Sequence, residues 1–227
     1  MPSLADRIVT VAIDQPSDDQ KRVIGILKNQ INAMDSQISK IDDKKELSVK
    51  LSNGKTKTVT GAEVKKLWSA LKIQIDDPAN ANYPNGSGRG ASTDKNGVTH
   101  FNVKTVSEYL PSTNQSDYNN QLAQYLVLHE LAHNTAAGKA ENRWQSSHGT
   151  LDENDSYPAS EKLANSIAKA IEKEAGLTPI PDPRYGYDES YTSFSDGVSD
   201  GSPDSSPSPA DRPRSNNVDR SHHTDIP

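Results

Sequence analysis

The chain has 227 residues, a net charge of −6, no cysteine and only 5% aromatic residues. This length suits one domain with a tail or two small domains, and the missing thiols exclude both a disulfide framework and a thiolate-ligated metal. The charge also excludes the basic footprint of a nucleic-acid binder: residues 178–227 carry −5 of the net charge, so residues 1–177 are close to neutral.

No stretch approaches the ~20 apolar residues of a membrane span, so no membrane association is expected. The N-terminus lacks a basic start followed by a long apolar run, so no conventional signal peptide is expected either. The remaining compartments are the cytoplasm or export by a specialised route.

In chain order, residues 18–42 carry Val23, Ile24, Ile26, Leu27, Ile31, Met34, Ile38 and Ile41, mostly at spacings of three, four and seven, which predicts an amphipathic helix. The period then changes to two in Glu46-Leu-Ser-Val-Lys-Leu-Ser. Asn53-Gly54 and a second alternating run over 55–60 follow, which predicts a β-hairpin. Helical spacing returns over 61–73, with Ala62, Val64, Leu67, Trp68 and Leu71. Residues 76–97 read as a long polar loop. Its Gly86-Ser-Gly-Arg-Gly90 lacks the Gly-Lys-Ser/Thr of a phosphate-binding loop. Val98–Val103 reads as a short strand. Helices are predicted over 117–137 and 158–175, with a polar loop between them. Residues 178–227 are rich in Ser, Pro and Asp and almost free of aliphatic side chains. They cannot offset the entropy of ordering and are expected to be a disordered tail. His222 and His223 fall in that tail and read as solvent-exposed.

The predicted helix over 117–137 contains His129-Glu130-Leu131-Ala132-His133, an HExxH motif. Residues four apart share a helix face, so both imidazoles can reach one metal ion. Glu130 projects beside them, where it can take a proton from a water that the metal activates. A bare HExxH would arise by chance in roughly one such chain in a hundred, and its position in an apolar helix raises its weight. A carboxylate in the middle of an apolar helix also needs a partner, and a metal would supply one.

A catalytic zinc takes three protein ligands and leaves a position for water. Residue 136 is Ala and 139 is Lys, which excludes a third histidine in an HExxHxxGxxH extension. The candidates left are Glu141, His148, Asp152, Glu153, Asp155 and Glu161. Glu161 heads the stripe formed with Ala164, Ala168 and Ile171, and a carboxylate at the head of an apolar stripe is explained by metal ligation or by its favourable place in the first turn of a helix. Asp152 is the alternative.

His129-Glu130-Leu131-Ala132-His133 followed by Glu161-x-x-Ala164-Asn165-x-x-Ala168 resembles the zincin metallopeptidases that take their third ligand from a downstream helix. Similar patterns occur in small bacterial and phage HExxH proteins. The resemblance covers residues 98–175. It implies Zn2+ bound by His129, His133 and Glu161, Glu130 as general base, and strand 98–103 as the edge of the cleft. Gly149-Thr-Leu-Asp152 resembles the Gly-Thr-x-Asp of the class whose third ligand is an aspartate, which keeps Asp152 as the alternative third ligand.

The expected architecture is therefore α+β: a zincin-like minimal metalloprotease domain over 1–177, with its N-terminal helix and hairpin in 18–73 and its catalytic part in 98–175, then the tail at 178–227. The expected function is a monomeric zinc endopeptidase acting on a polypeptide that adds as a strand beside 98–103. Tyr157 and His148 are candidate donors to the reaction's oxyanion. An amidase acting on a non-protein amide, and a non-catalytic interaction protein stabilised by metal, are the competing expectations.

Overall fold

The computed structural model describes residues 3–76, 91–94, 96–104, 106, 116–148, 158–178 and 194–195. All of them lie in the first of two compact units, residues 1–197; the second, 198–227, lies outside the described residues.

The architecture is mixed α and β. Helix α1 (Leu4–Ile8) leads into β1 (Val9–Ala12), and α2 (Asp18–Ile38) follows. Ser17 opens α2 with a capping box: its hydroxyl accepts from the Gln20 amide while Gln20 Oε1 accepts from the Ser17 amide, which satisfies two donors that a helix start leaves free. Of the predicted apolar set, Val23, Leu27, Ile31, Met34, Ile38 and Ile41 are buried, whereas Ile24 and Ile26 are half-buried.

Strands β2 (Glu46–Lys50) and β3 (Thr56–Thr60) form the predicted hairpin, and Gly54 takes the positive φ of 79° that its turn requires. Helix α3 (Gly61–Ser69) is capped by Thr60, whose hydroxyl accepts from the Glu63 amide.

The central sheet has the order β1, β4 (Lys72–Asp76), β6 (Val98–Asn102), β5 (Ala91–Thr93). The first three are parallel and β5 is antiparallel to β6. Two expectations are corrected here. The helical pattern over 61–73 ends early, and its last residues turn into β4. Strand 98–102 is interior, because β5 lies along one side of it and β4 along the other; among the described residues the edge on that side belongs to β5. Ala91-Ser92-Thr93 is too short and polar to stand out from the Gly-rich run before it. Ile73, Ile75 and Phe101 point into the core, whereas Gln74, Asp76 and His100 line the opposite face, where His100 Nδ1–H donates to Asp76 Oδ2 at 2.6 Å.

Helix α4 (Ser116–Asn134) packs against α2, against β5 and against the last helix, α6 (Ala159–Glu174). Between them runs α5 (Ala136–His148), a helix where a polar loop was expected. Thr135 makes the break: its hydroxyl donates to Ala132 O at 2.7 Å and accepts from the Gly138 amide at 3.0 Å, so it caps α5. Gly138 is needed where α5 turns back on α4, since a Cβ there would lie 2.3 Å from Ala132 O and 2.9 Å from His133 Cα.

The tail also departs from expectation in one place. Phe194 is buried, and Ser195 pairs with Glu46 through two backbone hydrogen bonds of 2.9 and 2.7 Å. A tail-wide composition averages away an aromatic anchor such as Phe194. The rest of the stretch from 179 onward lies outside the described residues.

Candidate metal centre

The motif helix α4 is apolar on nearly all sides. Leu122, Ala123, Val127, Leu128, Leu131 and Ala132 are buried, and so are His129 and Glu130. Helical spacing sets His129 and His133 one turn apart, with their rings edge to face at 4.7 Å and their Nε2 atoms 3.1 Å apart. From α6, Glu161 brings Oε2 to 3.0 Å from His129 Nε2 and 3.5 Å from His133 Nε2.

These three atoms test whether the residues fit a metal. Two ligands bound tetrahedrally at zinc distances stand about 3.3 Å apart. The observed edges of 3.0, 3.1 and 3.5 Å bracket that value. The donor set, two imidazoles and one carboxylate with no thiolate, suits a borderline divalent cation and leaves a fourth position open. Among the described residues this is the one such group of three ligands.

Each ligand is oriented by a neighbour. His129 Nδ1–H donates to Asn165 Oδ1 at 2.7 Å, which aims Nε2 into the cluster. Asn165 lies one turn after Glu161 on α6, so one helix face serves both nitrogens of His129. The Tyr125 hydroxyl, from α4, donates to the same Asn165 oxygen. On the other ring, His133 Nδ1 lies 3.4 Å from the Asn142 amide of α5. Gln145 of α5 accepts from the Ser160 amide at 3.1 Å, fastening the start of α6 where Glu161 sits.

The electrostatics of the cluster follow from this packing. Burial works against the His129 imidazolium, but the hydrogen bond to Glu161 and the nearby Glu130 and Glu161 carboxylates outweigh it and raise its pKa. Burial likewise opposes the charge on Glu161, yet hydrogen bonds to His129 and His133 hold its carboxyl well below the usual carboxylate range. A divalent cation would displace the proton held between His129 and Glu161.

Glu130 lies outside the triangle. Its Oε2 accepts from Thr93 Oγ1 of β5 at 2.9 Å, so the sheet supplies a partner for the buried charge, as well as any metal. Of the other sequence candidates, Asp152, Glu153, Asp155 and Tyr157 lie outside the described residues. Glu141 is buried, but its Oε2 accepts from the Ser52 amide at 3.0 Å and ties α5 to the hairpin turn. His148 is exposed, stacked on Trp144 at 4.5 Å, and bonds through Nδ1 to Trp144 O. Neither belongs to the cluster.

Compared with protein-family models, curated proteins and solved structures, the chain matches none.

Asn165, Tyr125, Asn142 and Thr93 were not assigned roles from sequence. The pairing of Glu161 with Asn165 at i and i+4 is the one signal that was available, since that spacing places both on one helix face.

Proposed function

We propose that the chain is a zinc-dependent hydrolase that cleaves peptide bonds. The observation that carries this reading is the convergence of His129, His133 and Glu161 within 4.8 Å of one another, with Glu130 beside them and outside the group. A purely structural metal site closes its coordination with a fourth protein ligand and has no use for an adjacent carboxylate.

His129, His133 and Glu161 would hold the ion, whose bound charge would acidify a water and polarise a carbonyl. Asn165 keeps His129 in the tautomer that presents Nε2. Glu130 takes the proton from the attacking water and passes it to the leaving amine. Its own free oxygen, Oε1, has no hydrogen-bond donor among the described residues, so it is available for that transfer. A peptide favours this geometry because β5, whose Thr93 holds Glu130, has no strand on its outer side among the described residues, so an extended chain can add to it.

Purified protein should carry about one zinc per chain, since the site is single. Glu130→Gln should keep the metal and lose hydrolysis of a peptide library by a factor of about a hundred or more, the usual scale of lost proton transfer. A chain that binds zinc while its Glu130→Gln variant hydrolyses as fast as wild type would defeat the assignment of the base.

A further inference from the structure

Thr93 is a saturated hydroxyl. Its Oγ1 lies 2.9 Å from Glu130 Oε2, 3.1 Å from Thr99 Oγ1 and 3.4 Å from Asn134 Nδ2. The carboxylate can only accept, so the single proton of Thr93 goes to Glu130. Thr99, wholly buried and directly opposite Thr93 in the β5–β6 register, must then donate to Thr93, as Asn134 does from α4. The two lone pairs and the proton are all used, and the hydroxyl cannot rotate. Asn134 also donates to the Glu130 carbonyl at 3.1 Å, so the same amide grips both the backbone of the base and the hydroxyl that holds its side chain.

That arrangement answers a problem built into the motif. Glu130 sits three residues before His133, close enough on a helix for an untethered carboxylate to reach a cation held by the histidines. Bound there, it would fill the fourth position and exclude water. We propose that Thr93, supported by Thr99 and Asn134, is a positioning residue that holds the Glu130 carboxylate off the metal and so keeps the fourth position open. The inference rests on the metal-centre reading above, and it assigns the edge strand a task in the chemistry that is independent of binding any substrate.

The full chain, loaded with cobalt(II) in place of zinc, gives a test that needs no substrate. Visible absorption reports the coordination of cobalt, and azide reports an open position. Wild type and Thr93→Ser should both respond to azide, with affinities within about threefold of each other, because serine keeps the hydroxyl. Thr93→Val has the same shape without the hydroxyl. Its cobalt spectrum should already be shifted, and its azide affinity should fall by about tenfold or more. Adding Glu130→Gln to Thr93→Val should restore the azide response, which also shows that the valine variant is folded. A Thr93→Val protein with the wild-type spectrum and azide affinity overturns the inference and leaves the metal centre standing. A wild-type chain that takes up no cobalt or zinc overturns the metal centre itself, and the role of Thr93 with it.

Discussion

Asn165 accepts from both His129 Nδ1 and Tyr125 Oη on one oxygen, and it does so from the helix that also supplies Glu161. Removing it leaves the Nδ1 proton without a buried acceptor and frees the imidazole to turn. Asn165→Ala should therefore weaken zinc binding about 10- to 100-fold, the usual effect of losing a group that orients a ligand, while Asn165→Asp, which keeps an acceptor, should lose much less. Competition against a chromophoric chelator measures both, and equal affinities for wild type and Asn165→Ala would show that His129 is oriented by other means. The candidate residues were legible in local sequence: His129 and His133 share a helix face with Glu130 beside them, and Glu161 heads an apolar stripe. Asn165 is marked only by its place one turn after Glu161, and Thr93 carries no local mark. Each matters only because an element distant in sequence places it against α4.

At the level of elements, α4 and α5 show where local pattern fails. Residues 117–137 contain no proline or glycine, and helical spacing runs through the point where the chain breaks. The break comes from Thr135 capping α5, and from Glu63 of α3, whose carboxylate accepts from the Ala136 amide at 2.6 Å across 73 residues. A long-range cap of this kind cannot be read from a window of sequence. Helix α6 was predicted to within a residue at each end, because its apolar face is continuous and Pro158 marks its start. That face holds one anomaly. Glu172 is buried, its Oε1 has no hydrogen-bond partner, and burial pushes its carboxyl from 4.5 up to about 8, with Lys169 opposing. The folded pKa lies above the unfolded one. Below about pH 4.5 both states hold the proton and Glu172 costs nothing; between there and pH 8 the unfolded chain alone releases it, so stability falls as pH rises. Glu172→Gln should match wild type near pH 4 and exceed it at pH 9 by an amount on the order of 1–3 kcal/mol. Urea melts at the two pH values decide it: a constant offset between the proteins would mean that Glu172 does not titrate with folding.

Across the whole molecule, the candidate centre joins α4 to α6, two helices that pack against each other, and Ala164, Ile167, Ala168 and Ile171 of α6 are buried. The α+β class was legible from the change of hydrophobic period along the chain, but the order of the sheet was not, because β5 is only Ala91, Ser92 and Thr93, whose strand character comes from pairing with β6. A site that spans two helices distant in sequence does not exist in the unfolded chain, so a cation that binds it must stabilise the fold. At free zinc a hundredfold above its dissociation constant the gain is about 2.7 kcal/mol. For a chain of this size each kcal/mol moves the midpoint by roughly 2–4 °C, so Tm should rise by about 5–10 °C with zinc and return on chelation. Glu161→Ala should lose most of that rise. The control is informative because the chain holds a second histidine pair, His222-His223, in the tail. If Glu161→Ala gains as much as wild type, zinc is acting elsewhere, and a variant lacking both tail histidines separates that case from a true loss at α4 and α6.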